Sequence, residues 1–190
     1  EILSGLVGSE MCIRDRADMV EIDRYALLLT EEMQEKVGNE LYPSFRFHEA
    51  SQRLIRFCSE DLGAFYLDIL KDRLYTMGTD SHGRRSAQTA LYHIAHAFIL
   101  LISPILAFTA DEAWKVLRRD QKDNVLFHER YRFPEGETQK EQLVKKWVNI
   151  RQVRQEVIKA LEPLRKDGVI GSSLEAAVIK VRSRTMVSSA

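Results

Sequence analysis

The sequence is poor in the residues that stabilise small secreted proteins or hold metal ions. Its 190 residues include only two cysteines, Cys12 and Cys58, which cannot make a disulfide framework or a thiolate zinc site. Four prolines and nine glycines are too few for a collagen-like chain or a flexible linker. Because 45% of the residues are hydrophobic, disorder along the whole chain is excluded. We expect one folded domain with part of another, in a reducing, cytoplasmic setting.

The chain also lacks an apolar run long enough to span a membrane. Its longest run, 97–108, has twelve residues and contains Ser103 and Pro104, whereas a spanning helix needs about 20 apolar residues. Residues 1–16 lack the basic start of a signal peptide. They differ in composition from the rest and are similar to translated sequencing-adapter sequence. We therefore expect 1–16 to be a leader that is foreign to the native protein.

The formal net charge is zero, yet the charges are unevenly distributed along the chain. Residues 17–61 hold ten acidic and five basic residues, whereas 140–166 hold eight basic and three acidic residues. Such asymmetry is compatible with a face that binds a polyanion. Two solvated helix faces of opposite sign explain it as well, and on charge alone we prefer that explanation.

Apolar residues recur at helical spacing through most of the chain, which predicts five helices. Their expected positions are 19–41, 47–75, Arg84 to a break at Pro104, Thr109 onwards, and 140–166. Thr109 and Glu112 have the spacing of a capping box, which predicts a helix start at Thr109. A short extended piece is expected around 125–127.

A strand is expected near the end of the chain. Gly168 has the position of a helix stop, and the β-branched run at 176–181 favours a strand over another helical turn. A lone strand is unstable, so we expect the rest of its sheet to be absent from the chain or to dock onto it. The sequence thus predicts an all-α helical bundle over 17–168, then the truncated start of a small α/β unit at 169–190.

Motifs that cradle phosphates or activate nucleophiles are missing from the sequence. It contains no Walker-type loop, no dinucleotide-binding glycine turn and no serine in a nucleophile elbow. His93 and His96 share a helix face, but no third ligand at suitable spacing completes a zinc site. Asp68 and Asp72 are one turn apart, and surface ion pairs explain them better than catalysis does. No catalytic residue and no metal site are therefore predicted.

Basic side chains in two regions suit contact with a polyanion. Four of them flank the loop 78–83 and should meet at one end of the bundle: Lys71, Arg73, Arg84 and Arg85. The last helix carries a second, broader set, with Lys145, Lys146, Arg151, Arg154, Lys159, Arg165 and Lys166. Contacts of such residues with phosphates depend on salt and are largely blind to sequence. Tyr75, Tyr92 or Trp147 would be available to stack on unpaired bases, although Trp147 lies on the predicted core stripe.

Three segments of the chain resemble bacterial isoleucyl-tRNA synthetases. They are DLGAFYLDILKDRLY at 61–75, RRSAQTALYHI at 84–94 and SPILAFTADEAW at 103–114, the last being shared more loosely with the valyl, leucyl and methionyl enzymes. The likeness extends over about 17–181. It implies a helical anticodon-binding domain that docks the anticodon stem-loop of the isoleucine tRNA. The candidate tRNA contacts are eight of the basic residues named above: Lys71, Arg73, Arg84, Arg85, Lys145, Lys146, Arg151 and Arg154.

The resemblance also implies a parent enzyme that joins isoleucine to its tRNA with ATP, through an isoleucyl-adenylate. The chain has neither the HIGH-type nor the KMSKS-type motif, and no editing domain. Isoleucine, ATP and magnesium would therefore bind outside it, and zinc only in the family's C-terminal module. We expect a monomeric parent and a chain that is inactive in aminoacylation by itself. The alternative is a helical protein-interaction or structural module without RNA contact.

Overall fold

The computed structural model describes residues 16–119, 122–128, 130–171, 176–181 and 184–189. It divides into two compact units, of which the first ends at Thr138 and the second begins at Gln139. The helices of the first unit are α1 (Glu21–Gln34), α2 (Phe47–Arg56), α3 (Asp68–Thr76), α4 (His82–Ile102) and α5 (Ala107–Arg118). The second unit contains α6 (Lys140–Lys166) and the strands β1 (Ala176–Val181) and β2 (Arg184–Ser189).

Two π-helical segments join these helices into longer rods. Glu35–Leu41 continues α1, and Phe57–Leu67 connects α2 to α3 without a break. The described residues therefore contain five helical rods, which confirms the predicted all-α bundle of about five helices. The first two rods end close to Pro43 and Gly78, as the sequence predicted.

The π-helical segment Phe57–Leu67 changes which residues face the core. An uninterrupted α-helix over 47–75 would bury Leu62 and Ile69, which follow the apolar spacing of this segment, yet both are only half-buried. A π turn closes i→i+5 hydrogen bonds and so rotates the following residues relative to an α-helix. The buried positions move to Tyr66 and Leu70, which are 1% and 0% exposed.

Helices α1 and α4 run in the same direction, and the rod of α2 and α3 runs opposite to them. Near the start of both, the Val20 amide donates to Ser86 Oγ at 2.8 Å. Near their other end, the Tyr42 hydroxyl donates to the Leu101 carbonyl. One end of the first unit, which we call the α3–α4 end, therefore holds the end of α3 and the start of α4, beside the start of α1.

The structure corrects two predictions made between Pro104 and Phe127. Helix α5 begins at Ala107, and its N-cap Leu106 makes no side-chain hydrogen bond, so the predicted capping box at Thr109 is wrong. A tight turn after the proline already places the Leu106 carbonyl where the Ala110 amide can reach it, at 2.9 Å. The expected extended piece is a single 3-10 turn, Val125–Phe127, because the Asn124 side chain accepts from the Leu126 amide.

The C-terminal strand is confirmed, but its pairing differs from expectation. Helix α6 is followed by Gly168 at a φ of 69°, a left-handed value that suits glycine. Strand β1 pairs antiparallel with β2, with Ala176 opposite Ser189 and Val181 opposite Arg184. The partner strand is therefore in the chain itself. The next segment of the chain can supply it, since an antiparallel hairpin needs only two residues between its strands. The predicted boundary at 168 stays a prediction.

The predicted leader lies almost wholly outside the described residues, which begin at Arg16. Arg16 is 1% exposed and forms an ion pair with Glu31 of α1. None of the described helices is both long and apolar enough to cross a membrane.

Aromatic rings hold the segment around Tyr131 against α4. His93 Nδ1 lies 2.5 Å from the Tyr131 hydroxyl, and the His96 ring stacks on Tyr131 with centroids 5.3 Å apart. Trp114 meets His96 edge-on at 5.2 Å. Both histidines therefore serve packing between α4, α5 and this segment. Among the described residues, no group of three or more His, Cys, Asp or Glu side chains is placed to hold a metal ion.

Mild acid should destabilise the first unit through these histidines. Burial lowers the pKa of His93 to about 4, and the positive charges of His96 and Arg16 act in the same direction. Burial also lowers the pKa of His96. Between about pH 6.5 and pH 4 the unfolded chain binds protons that the folded chain does not, so the free energy of unfolding should fall as the pH falls.

Urea unfolding followed by circular dichroism at pH 7, 6 and 5 measures this dependence. The double variant His93→Gln, His96→Gln should show a flatter decrease over the same range, whatever its stability at pH 7. An unchanged slope in the variant would assign the pH dependence to other groups.

Candidate nucleic-acid interface

The four basic residues predicted around the loop 78–83 do come together at the α3–α4 end. Ser81 caps α4 by accepting from the Arg84 amide at 3.3 Å, which fixes where the helix starts. The Arg84 side chain then donates back to the Met77 carbonyl at 3.1 Å. The start of α4 therefore lies against the end of α3, which brings the four residues to one end of the first unit.

Arg73 points inward from this end and binds a buried carboxylate. Its Nη1 donates to Asp23 Oδ1 at 2.9 Å and its Nη2 to Oδ2 at 2.6 Å. A further hydrogen bond goes to the Gly83 carbonyl. The Arg73 side chain is 12% exposed and that of Asp23 is 0% exposed. The guanidinium uses three of its five N–H donors inside the protein and is almost completely buried, so we assign Arg73 to the core.

Asp23 is the centre of a buried polar network that we call the Asp23 hub. Besides Arg73, the Tyr66 hydroxyl donates to Oδ1 at 2.8 Å and the Ser86 hydroxyl donates to Oδ2. Burial and the adjacent Asp23 charge raise the pKa of Tyr66 well above its usual value, which keeps the phenol protonated as a donor. Four hydrogen bonds thus satisfy one carboxylate. They connect α1 with the π-helical segment Phe57–Leu67, with α3 and with α4.

The Asp23 hub was not predicted from the sequence, although the sequence holds one signal of it. Asp23 lies in α1 between the buried residues Ile22 and Ala26, on the side of the helix that the apolar pattern turns to the core. An acidic residue at a core position must find a partner, because an isolated buried charge is strongly unfavourable. Its partner Arg73 is fifty positions away in the chain, beyond the reach of local patterns.

Of the four predicted basic residues at the α3–α4 end, three are at least partly exposed. Lys71 pairs with Asp68 at 3.1 Å, with both side chains at least half exposed, which is the surface ion pair predicted for this turn. Arg84 and Arg85 are half-buried. Tyr75 is 70% exposed. This end therefore offers a mixture of charges and one exposed ring, with a weaker polyanion attraction than four free cations would have.

Of the three aromatic candidates for base stacking, Tyr75 alone is well exposed. The Tyr92 ring packs on His96 with centroids 4.2 Å apart. Trp147 is half-buried, in agreement with its place on the predicted core stripe.

Helix α6 in the second unit presents the larger group of exposed cations. Lys145 and Lys146 are exposed, whereas Arg151 and Arg154 are half-buried. Lys145, Lys159 and Lys166 are exposed at intervals of whole heptads, so they share one face of the helix. At 1.5 Å per residue this lysine face is about 31 Å long. The eight predicted residues thus form two groups, one in each unit.

Comparison with known proteins defines the class of the chain. Residues 23–180 match the family model described as the anticodon-binding domain of tRNA ligase. The match covers most of the chain, which therefore belongs to this family.

The similar individual proteins are isoleucine–tRNA ligases of bacteria. The chain is 57% identical over 162 residues to that of Neisseria meningitidis and 53% identical over 163 residues to that of Chromobacterium violaceum. It is 43% identical over 162 residues to that of Laribacter hongkongensis. Each match covers 85% of this chain but only 17% or 18% of the relative. The chain thus spans about a sixth of the length of these curated relatives, and the resemblance to bacterial isoleucyl enzymes is confirmed.

Loss of the Arg73 guanidinium should strongly destabilise the first unit. An Arg73→Met variant leaves the Asp23 carboxylate buried without its partner, which should lower the free energy of unfolding by about 3–5 kcal/mol. Lys71→Met on the same helix removes only an exposed ion pair and should change it by less than about 1 kcal/mol. Urea unfolding at neutral pH measures both variants side by side. Equal stability of the two would contradict a central role for the Asp23 hub.

Proposed function

We propose that this chain is the tRNA-binding part of an isoleucine–tRNA ligase and docks the anticodon stem-loop of the isoleucine tRNA. The observation that carries the proposal is the 57% identity to an isoleucine–tRNA ligase over 162 residues. The family match over 23–180 supports the anticodon as the part of the tRNA that is contacted. In this proposal the parent ligase is a cytoplasmic monomer that charges its tRNA with isoleucine, and isoleucine, ATP and magnesium bind outside this chain.

The lysine face of α6 supports an interaction with the RNA backbone. Exposed ammonium groups at Lys145, Lys159 and Lys166 neutralise phosphates and release counterions, which gives affinity without reading sequence. Of the four residues of this helix that were predicted as tRNA contacts, Lys145 and Lys146 are exposed. Because the three lysines project from one continuous helix, they are held at fixed spacing, which limits the entropy lost on binding.

The α3–α4 end supports a second, smaller contact. Lys71, Arg84 and Arg85 lie there beside the exposed ring of Tyr75, a combination that suits a phosphate next to an unstacked base. Arg73 contributes indirectly, since it fixes the end of α3 against Asp23 and Gly83.

Charge reversal on the lysine face should weaken tRNA binding. The double variant Lys145→Glu, Lys159→Glu should raise the Kd for isoleucine tRNA at least about tenfold and reduce the slope of log Kd against log salt by about 1–2. Fluorescence anisotropy titration at several low salt concentrations measures both quantities. Lys36→Glu is the matched control, because Lys36 is a half-exposed lysine near the end of the first unit opposite to the α3–α4 end. It should leave affinity nearly unchanged.

Two further outcomes of this titration would contradict the proposal. Equal affinity for isoleucine tRNA and an unrelated tRNA would show that this chain does not recognise the anticodon specifically. Absence of tRNA binding at low salt would favour the protein-interaction alternative. The double reversal Arg84→Glu, Arg85→Glu, with helicity checked by circular dichroism, tests the contact at the α3–α4 end separately.

A further inference from the structure

An apolar groove opens on the first unit, between α2 with its π-helical continuation and the end of α4. Its volume is about 510 Å³, and its apolar walls are Leu54, Ile55, Phe98, Ile102, Ile105 and Leu106. Ile55 is 67% exposed, Ile105 is 41% exposed and Leu106 is 51% exposed. Phe108, two residues further along the chain, is 89% exposed. Neighbouring exposed apolar side chains of this kind are typical of an interaction surface.

The groove has almost nothing to offer a polar ligand. Among the described residues that line it none is charged, and the two hydroxyl groups are used within their own helices. Ser51 Oγ donates to the Phe47 carbonyl at 2.9 Å, and Ser59 Oγ donates to the Arg56 carbonyl at 3.3 Å. Burial raises the pKa of the Cys58 thiol, which keeps it neutral. RNA or a charged metabolite would lose hydrogen bonds with water here, so the suitable occupant is a set of apolar side chains.

The size of the groove argues for an occupant in the same polypeptide. A space of this volume holds a few side chains, whereas a stable dimer interface takes about 20–30 residues from each partner. A contact of a few side chains becomes stable when a covalent link supplies an effective concentration in the millimolar range. In the relatives, further polypeptide is covalently linked to the matched segment, because this segment is only 17% of the Neisseria meningitidis ligase.

We propose that this groove is an interdomain docking surface, filled in the full-length ligase by apolar side chains of another domain of the same polypeptide. The inference rests on family membership and on the part of the proposed function that makes the parent a full-length ligase. It does not depend on the RNA contacts of α6. A failure of tRNA binding would therefore leave it standing, and its own failure would leave tRNA binding standing.

Cys58 provides a reporter inside the groove, since it is a half-buried free thiol. The isolated chain, carrying Cys12→Ser, is compared with a hybrid Neisseria meningitidis ligase in which the 162 matched residues are those of this chain. Alkylation at mildly alkaline pH is followed by mass spectrometry of the Cys58 peptide. Alkylation should be about tenfold slower in the hybrid, because it then requires the groove to open.

Variants in the hybrid identify the groove as the cause of protection. Ile55→Asp should restore fast alkylation of Cys58, whereas the matched control Val116→Asp, at an α5 residue that is 57% exposed and outside the groove, should not. Ile55→Gln serves if the aspartate variant of the hybrid fails to fold. In the isolated chain, Ile55→Asp should leave helicity and tRNA affinity unchanged.

Three results would overturn the proposal. The first is equal Cys58 reactivity in the isolated chain and the hybrid. The second is restoration of reactivity by Val116→Asp to the same degree as by Ile55→Asp. The third is protection of Cys58 in the isolated chain that grows with protein concentration, which would identify a second copy as the occupant.

Discussion

The first unit depends on one buried carboxylate and the groups that neutralise it. Asp23 of α1 accepts hydrogen bonds from Arg73 at the end of α3, from Tyr66 in the π-helical segment and from Ser86 near the start of α4. Because a buried charge without partners is strongly unfavourable, these elements must approach in one relative arrangement. The α3–α4 end, with its surface cations, is a consequence of that arrangement.

The same constraint decides which of two neighbouring basic residues is structural and which is available for binding. Lys71 and Arg73 are two positions apart on α3, so their side chains leave the helix about 200° apart. Lys71 reaches solvent and pairs with Asp68, whereas Arg73 reaches the Asp23 hub. Their position beside the loop 78–83 predicted an RNA contact for both. Burial and bidentate geometry keep only the outward-facing residue available to a phosphate.

The lysine face and the apolar groove belong to different units of the chain. The lysine face of α6 belongs to the second unit, while the groove beside Ile55 belongs to the first and is lined by no charged residue among those described. This separation is physically sensible, because a polyanion needs cations in water and an apolar contact needs their absence.

The sequence by itself determined the helical rods, their ends near Pro43, Gly78 and Gly168, the strand β1 and the family. These features follow from periodicity, turn residues and continuous local motifs, all of which are encoded by near neighbours in the chain. Only the tertiary structure decided the role of Arg73, the start of α5, the pairing of β1 with β2 and the open groove. The role of Arg73, the pairing of β1 with β2 and the groove depend on contacts between separate elements, whereas the start of α5 is set by the turn after Pro104, which the apolar pattern does not show.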